Sequence, residues 1–95
     1  MKYEILIPGG LDQVNPLDDN VDVLVQTERG ERYSFVVATP DNLKALMKNE
    51  GLSYLRPGAP MLFAESITEE NIRALVNDLL DQGEALCRVY GTNMQ

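Results

Sequence analysis

The residues that could do chemistry are few, and the missing types are as informative as those present. Within these 95 residues there is no histidine, which removes the usual general base, the commonest metal ligand and every histidine-dependent triad. Ser34, Ser53 and Ser66 lie in no nucleophile-elbow context. Cys87, the only cysteine, falls within a predicted strand and reads as a small apolar side chain in or near the core, not a reactive thiol. Gly9-Gly10 is followed by neither the lysine nor the helix start of a phosphate loop. The chain is therefore expected not to be an enzyme and to carry no cofactor or metal.

What chemistry remains is carboxylate chemistry. From Tyr3 to Glu28 there is no Lys or Arg, yet Glu4, Asp12, Asp18, Asp19 and Asp22 fall there. Asp18, Asn20 and Asp22 copy the opening of a calcium loop, but Val23 stands where that loop needs glycine and Arg29 where it needs glutamate. As a surface for a cationic partner the segment fits better. A second acidic group sits at the end of a predicted helix, where Asp78 and Asp81 occupy the last turn and Glu84 follows. No cation there complements the helix carbonyls, at a cost of a few tenths to about 1 kcal/mol, and locally broken rules concentrate at functional places. Asp12, Asp18, Asp19, Asp22, Asp78, Asp81 and Glu84 are thus the candidate partner contacts. The plain alternative is that acidity only keeps the protein soluble.

Charge and composition bound the rest. With 15 acidic and 8 basic residues the net charge is −7, which speaks against nucleic acid and is compatible with a basic protein partner. A hydrophobic share of 44%, with four Tyr and two Phe, argues for a folded globule. The length suits one domain over 1–95, large enough for a core without staples. No run approaches the ~18 apolar residues of a membrane span, and MKYEILIPGG does not read as a signal peptide. A lone cysteine supports no disulfide framework, so a reducing, cytoplasmic setting is expected.

The element that organises the chain is a β-hairpin over 21–39. Val21, Val23 and Val25 alternate with Asp22, Leu24 and Gln26, and Tyr33, Phe35 and Val37 alternate with Arg32, Ser34 and Val36. A two-residue Arg29-Gly30 loop would mix polar and apolar groups on both faces. A three-residue loop, Glu28-Arg29-Gly30, sets the valines opposite Val37, Phe35 and Tyr33, with Gly30 in the left-handed position of a G1 bulge. Because a one-residue slip flips every side chain, the second register is expected. Leu24, Val36 and Leu6 then point away from the core face and form a candidate apolar interface, through which a homodimer could assemble.

Around the hairpin, alternation places a strand at 2–7, followed by a turn-rich connection over 8–20. Such a segment is either a functional loop or a crossover between non-adjacent strands, and the crossover is the expected one. Thr39, Pro40 and Asp41 start a helix over 40–50, stopped at Gly51 with Leu52 against Met47. Met61-Leu62-Phe63-Ala64 reads as a strand buried in the sheet. Thr68 caps a helix over 69–82, whose apolar stripe runs through Ile72, Leu75, Val76, Leu79 and Leu80 to Gly83. A last strand at 85–90 would pair parallel to 61–64 by a right-handed crossover, and 91–95 should fray. The sum is an α+β fold with order β-β-β-α-β-α-β: a mixed five-stranded sheet with two helices packed on one face.

Two stretches, ATPDNLKALM (38–47) and MLFAESITEENIRALVNDL (61–79), resemble a set of small bacterial α+β proteins without assigned activity. These share a hairpin, a T-x-x-N helix start and a short apolar strand leading into L/I-T-E-E-N-I. The likeness spans about 21–80 and implies an architecture; its motifs are caps and core positions, so no functional residue carries over. The leading expectation is a non-catalytic protein-binding module, similar to immunity or antitoxin proteins in charge and size only. The alternatives are a structural homodimer without a blocking role, and a carboxylate-based enzyme or small-ligand binder.

Overall fold

The hairpin adopts the three-residue-loop register. In the computed structural model, which describes residues 2–57, 61–83 and 92–93, β2 (Asn20–Thr27) pairs antiparallel with β3 (Arg32–Ala38). Val21 lies opposite Val37, Val23 opposite Phe35 and Val25 opposite Tyr33. Thr27 N–H donates to Glu31 at 2.8 Å and Gly30 N–H to Thr27 at 2.9 Å, closing the turn over 28–30. Gly30 has φ +84°, a conformation that a Cβ makes costly. Gly30→Ala is expected to cost about 1 kcal/mol, read as a lower urea midpoint with unchanged m-value; no loss would mean the turn closes some other way.

β1 (Tyr3–Leu6) adds to the far side of β2, antiparallel, with Ile5 opposite Val25 and Leu6 opposite Leu24. The connection 8–20 therefore joins two adjacent strands and is not the expected crossover. Its length serves packing instead: Leu11 and Val14 lie against the core, and successive turns close at Ile7–Gly10, Leu11–Val14 and Asn15–Asp18.

α1 (Pro40–Glu50) begins and ends as its residues dictate. The Thr39 hydroxyl accepts from Asn42 N–H at 3.2 Å, and Gly51 stops the helix at φ +70° with Leu52 N–H donating to Met47 at 2.9 Å. The chain returns along β4 (Met61–Phe63), parallel to β3, with Leu62 beside Val37. α1 thus supplies the crossover a parallel pair needs. β4 is not buried on both faces: Leu62 is covered, but Phe63 is 51% exposed. Alternation explains this, since Leu62 shares the core face with Val37 while Met61 and Phe63 point outward.

α2 (Glu69–Asp81) packs across the core face. Ile72, Val76 and Leu79 are buried with Val23, Val25, Tyr33, Phe35, Val37, Leu62 and Ile67. The half-buried Leu43, Leu46 and Met47 of α1 do not join that cluster, so the helix layer over the described core is α2. The sheet order is β1-β2-β3-β4. The expected strand at 85–90, with its parallel crossover and Cys87, lies outside the described residues. Thr92 and Asn93, expected to fray, instead form a two-residue antiparallel ladder with Ser34 and Tyr33.

Candidate functional site

The acidic residues singled out by the sequence do not gather at one place. Asp22 sits on β2 opposite Val36, on the sheet face away from α2. Asp12 and Asp18 are exposed on the 8–20 connection. α2 begins beside that connection, because Ile67 N–H donates to the Pro16 carbonyl at 2.7 Å. Its far half reaches the start of β1, where the Tyr3 hydroxyl donates to the Asn77 side chain. A helix of 13 residues spans about 20 Å, so Asp78 and Asp81 lie at the hairpin-turn end and Asp18 at the opposite end. Glu84 lies outside the described residues.

Asp19 belongs to the scaffold. It is half-buried, and its carboxylate accepts from Asn15 N–H at 3.1 Å and Asn20 N–H at 2.8 Å. Its own N–H donates to the Thr39 hydroxyl at 3.3 Å, while Thr39 N–H donates to the Asp19 carbonyl at 3.1 Å. Asn20 donates to the Asn42 side chain at 2.9 Å. These bonds clamp the end of the connection to the start of α1 and leave Asp18 presented at the surface.

The sequence reading did not single out Glu69 and Glu70, which extend the acidic surface at the Asp18 end. Both occupy the first turn of α2, where they complement the helix dipole. Thr68 caps that turn by accepting from Asn71 N–H at 3.1 Å, and Asn71 reaches back to Ser66. Arg73 pairs with Glu69 through Nε and Nη2, each 3.1 Å from Oε1. Among the described residues nothing engages the carboxylates of Asp12, Asp18 or Asp22. Also missed was an apolar groove of about 240 Å³ lined by Ile5, Ile7, Leu11, Glu69, Ile72 and Arg73. Leu11 was its available signal, since a leucine in an otherwise polar connection marks a segment that packs.

On the outer face Leu6 is 53% exposed and pairs with the half-buried Leu24. Val36 is half-buried beside Met61, and Phe63 extends the apolar strip. An open cleft of about 640 Å³ lies over Lys2, Tyr3, Glu4, Gln26, Thr27, Glu28 and Gly30, with side chains too mixed in charge to define a substrate. Among the described residues, no group of three or more Cys, Asp or Glu side chains could hold a metal. None of the described helices is long and apolar enough to cross a membrane. Protein-family models, curated proteins and solved structures were all compared with this chain, and none matches.

Proposed function

We propose that the chain is a non-catalytic, cytoplasmic protein-binding module that recognises a basic protein partner. The observation that carries this reading is the surface at the Asp18 end, where Asp12, Asp18, Glu69 and Glu70 are all exposed. That end is held in shape by the Asp19–Thr39 and Ile67–Pro16 bonds. A preformed surface with acidic residues in excess over the cation Arg73 steers an oppositely charged partner and selects it over acidic competitors. Blocking a basic surface, as immunity and antitoxin proteins do, would use the same physics.

The test is capture of partners from source-cell lysate on the tagged chain at low salt, with elution by a salt step and identification by mass spectrometry. One basic protein recovered near stoichiometry is expected, because exposed charge pairs weaken with ionic strength. Asp12→Lys with Asp18→Lys should abolish its recovery, whereas Asp81→Lys, at the far end of α2, should leave it. The choice of Asp18 over Asp19 matters, since losing Asp19 would disturb the scaffold itself.

A second reading rests on the outer sheet face. Leu6 and Phe63, with Leu24, Val36 and Met61 between them, could pair two copies of the chain. Such a homodimer would survive high salt and show twice the chain mass by light scattering.

A further inference from the structure

β1 is the end strand of the sheet, and the direction of its main-chain groups follows from two bonds. Glu28 N–H donates to the Lys2 carbonyl at 3.0 Å, so in an antiparallel ladder Lys2, Glu4 and Leu6 turn their main-chain groups toward β2. The hairpin agrees: Thr27 N–H meets Glu31 at 2.8 Å, which turns Thr27 and Val25 toward β3 and leaves Gln26 and Leu24 facing β1. The N–H and C=O groups of Tyr3 and Ile5 therefore point away from the sheet. Among the described residues no strand pairs with them. Directly beside this edge, on the core face, lies the groove between β1 and the first turns of α2, floored by Ile5, Ile7, Leu11 and Ile72 and rimmed by Glu69 and Arg73. On the other face of the same strand Glu4 is exposed.

We propose that this edge receives an extended segment of the basic partner, added as a further strand. The inference rests on the protein-binding reading above and says where and how the partner binds. Main-chain bonds to Tyr3 and Ile5 would hold the segment, and its alternate side chains would fall on opposite faces of the sheet. Those on the core side enter the apolar groove, and those on the outer side meet Glu4. The fitting sequence alternates Val, Ile or Leu with Lys or Arg. In two antiparallel registers a second copy of the chain fits poorly. Pairing Tyr3 with Ile5 of a second copy sets Glu4 opposite Glu4, and like charges directly opposite are destabilising. The register centred on Ile5 would need the Ile7 main chain, whose carbonyl already accepts from Gly10 N–H at 2.9 Å. In the register centred on Tyr3, Lys2 would face Glu4 of the other copy, so the chain mass separates a second copy from a basic strand drawn by Glu4.

The test uses isotope-labelled protein and short synthetic peptides alternating Val or Ile with Lys, a matched set with Glu in place of Lys, and a set with Pro at the pairing positions. The Lys set should slow amide exchange at Tyr3 and Ile5 by at least about tenfold, with Val25 and Thr27 unchanged. The Glu and Pro sets should fail, and Glu4→Lys should weaken the Lys peptide at least about tenfold while leaving the circular dichroism spectrum intact. Binding that shifts only the Asp12–Asp18 segment would overturn the edge site yet leave the basic-partner reading standing. Failure of every Lys peptide overturns the edge site too, and lysate capture then decides the broader reading. Protection of Tyr3 and Ile5 without peptide, at twice the chain mass, would assign the edge to a second copy and sink the proposal.

Discussion

Phe35→Ala should cost about 3–5 kcal/mol, the usual range for truncating a fully buried aromatic residue. Phe35 is 1% exposed at the centre of β3, with Val23 across the strand and Tyr33 tilted 32° at a ring separation of 6.3 Å. Its ring faces α2, whose Ile72 and Val76 are 0% and 1% exposed. Removing it leaves a void that neither layer can close, because the strand is held on both sides by ladders and the helix is pinned at the Pro16 end. Since small domains carry about 5–15 kcal/mol in all, the variant should retain little of its stability. Urea unfolding would show the loss as a lower midpoint. Phe35→Leu keeps most of the volume and should cost no more than about 1.5 kcal/mol. Ser34→Ala, one residue away on the outer face, should stay within about 0.5 kcal/mol. If Phe35→Ala lost under about 1 kcal/mol, or Ser34→Ala lost more, the register would be off by one residue and the outer face would be the core.

That register was legible because two independent local signals agreed. Alternation defined an apolar face on each strand, and only the loop ending in Gly30 brings those two faces together. The helix limits were legible for a similar reason: Thr39, Gly51 and Thr68 each satisfy orphaned main-chain groups at a helix end using neighbours in sequence. The neighbours of β1 and β4 were not legible, because pairing across a connection depends on contacts that no local rule contains. Pro8, Gly9 and Gly10 marked the end of a strand but not which strand lies beside it. Leu11 and Val14 decide that, and they act by packing on a core that exists only after folding. Likewise 31–38, 40–50 and 61–64 already formed a strand-helix-strand unit. The stretch 61–64, 69–82 and 85–90 has the same pattern, so spacing alone does not say which neighbours 61–64 takes, and 85–90 lies outside the described residues.

The candidate site divides along the same line. Single exposed carboxylates could be named from the sequence, since charge is a property of a residue. Their grouping could not, since it is a property of the fold. Asp12 and Asp18 join Glu69 and Glu70 only because the Ile67–Pro16 bond brings the start of α2 to the connection, and Asp22, near them in sequence, is carried to the opposite sheet face. Asp19 shows the converse. Its charge made it look like its neighbour Asp18, but a carboxylate that accepts main-chain N–H groups already has its work within the fold.

Thr39→Val should therefore have the second-largest effect, about 2–3 kcal/mol, and should reach the site without touching it. Thr39 is 0% exposed, and its hydroxyl serves two donors, Asn42 N–H at 3.2 Å and Asp19 N–H at 3.3 Å. Valine keeps the shape and removes the one oxygen that accepts from both. Losing an N-cap costs about 0.5–2 kcal/mol, and a main-chain donor stranded in a part-buried position adds about 1–3 kcal/mol; partial rehydration of the Asp19 end should keep the sum in the lower part of that range. Thr39→Ser retains the oxygen and should lose under about 1 kcal/mol, mostly for the missing methyl. Faster amide exchange should appear first at Asp19 and Asn42, on either side of the removed hydroxyl, and last in β2 and β3. Because the same hydroxyl steadies the chain that displays Asp18, recovery of the basic partner should fall in Thr39→Val and be kept in Thr39→Ser. Full recovery with Thr39→Val, at a temperature where the variant is folded, would mean that the Asp18 end is not the recognition surface. The partner would then have to be sought at the Asp78–Asp81 end of α2 or along the edge of β1.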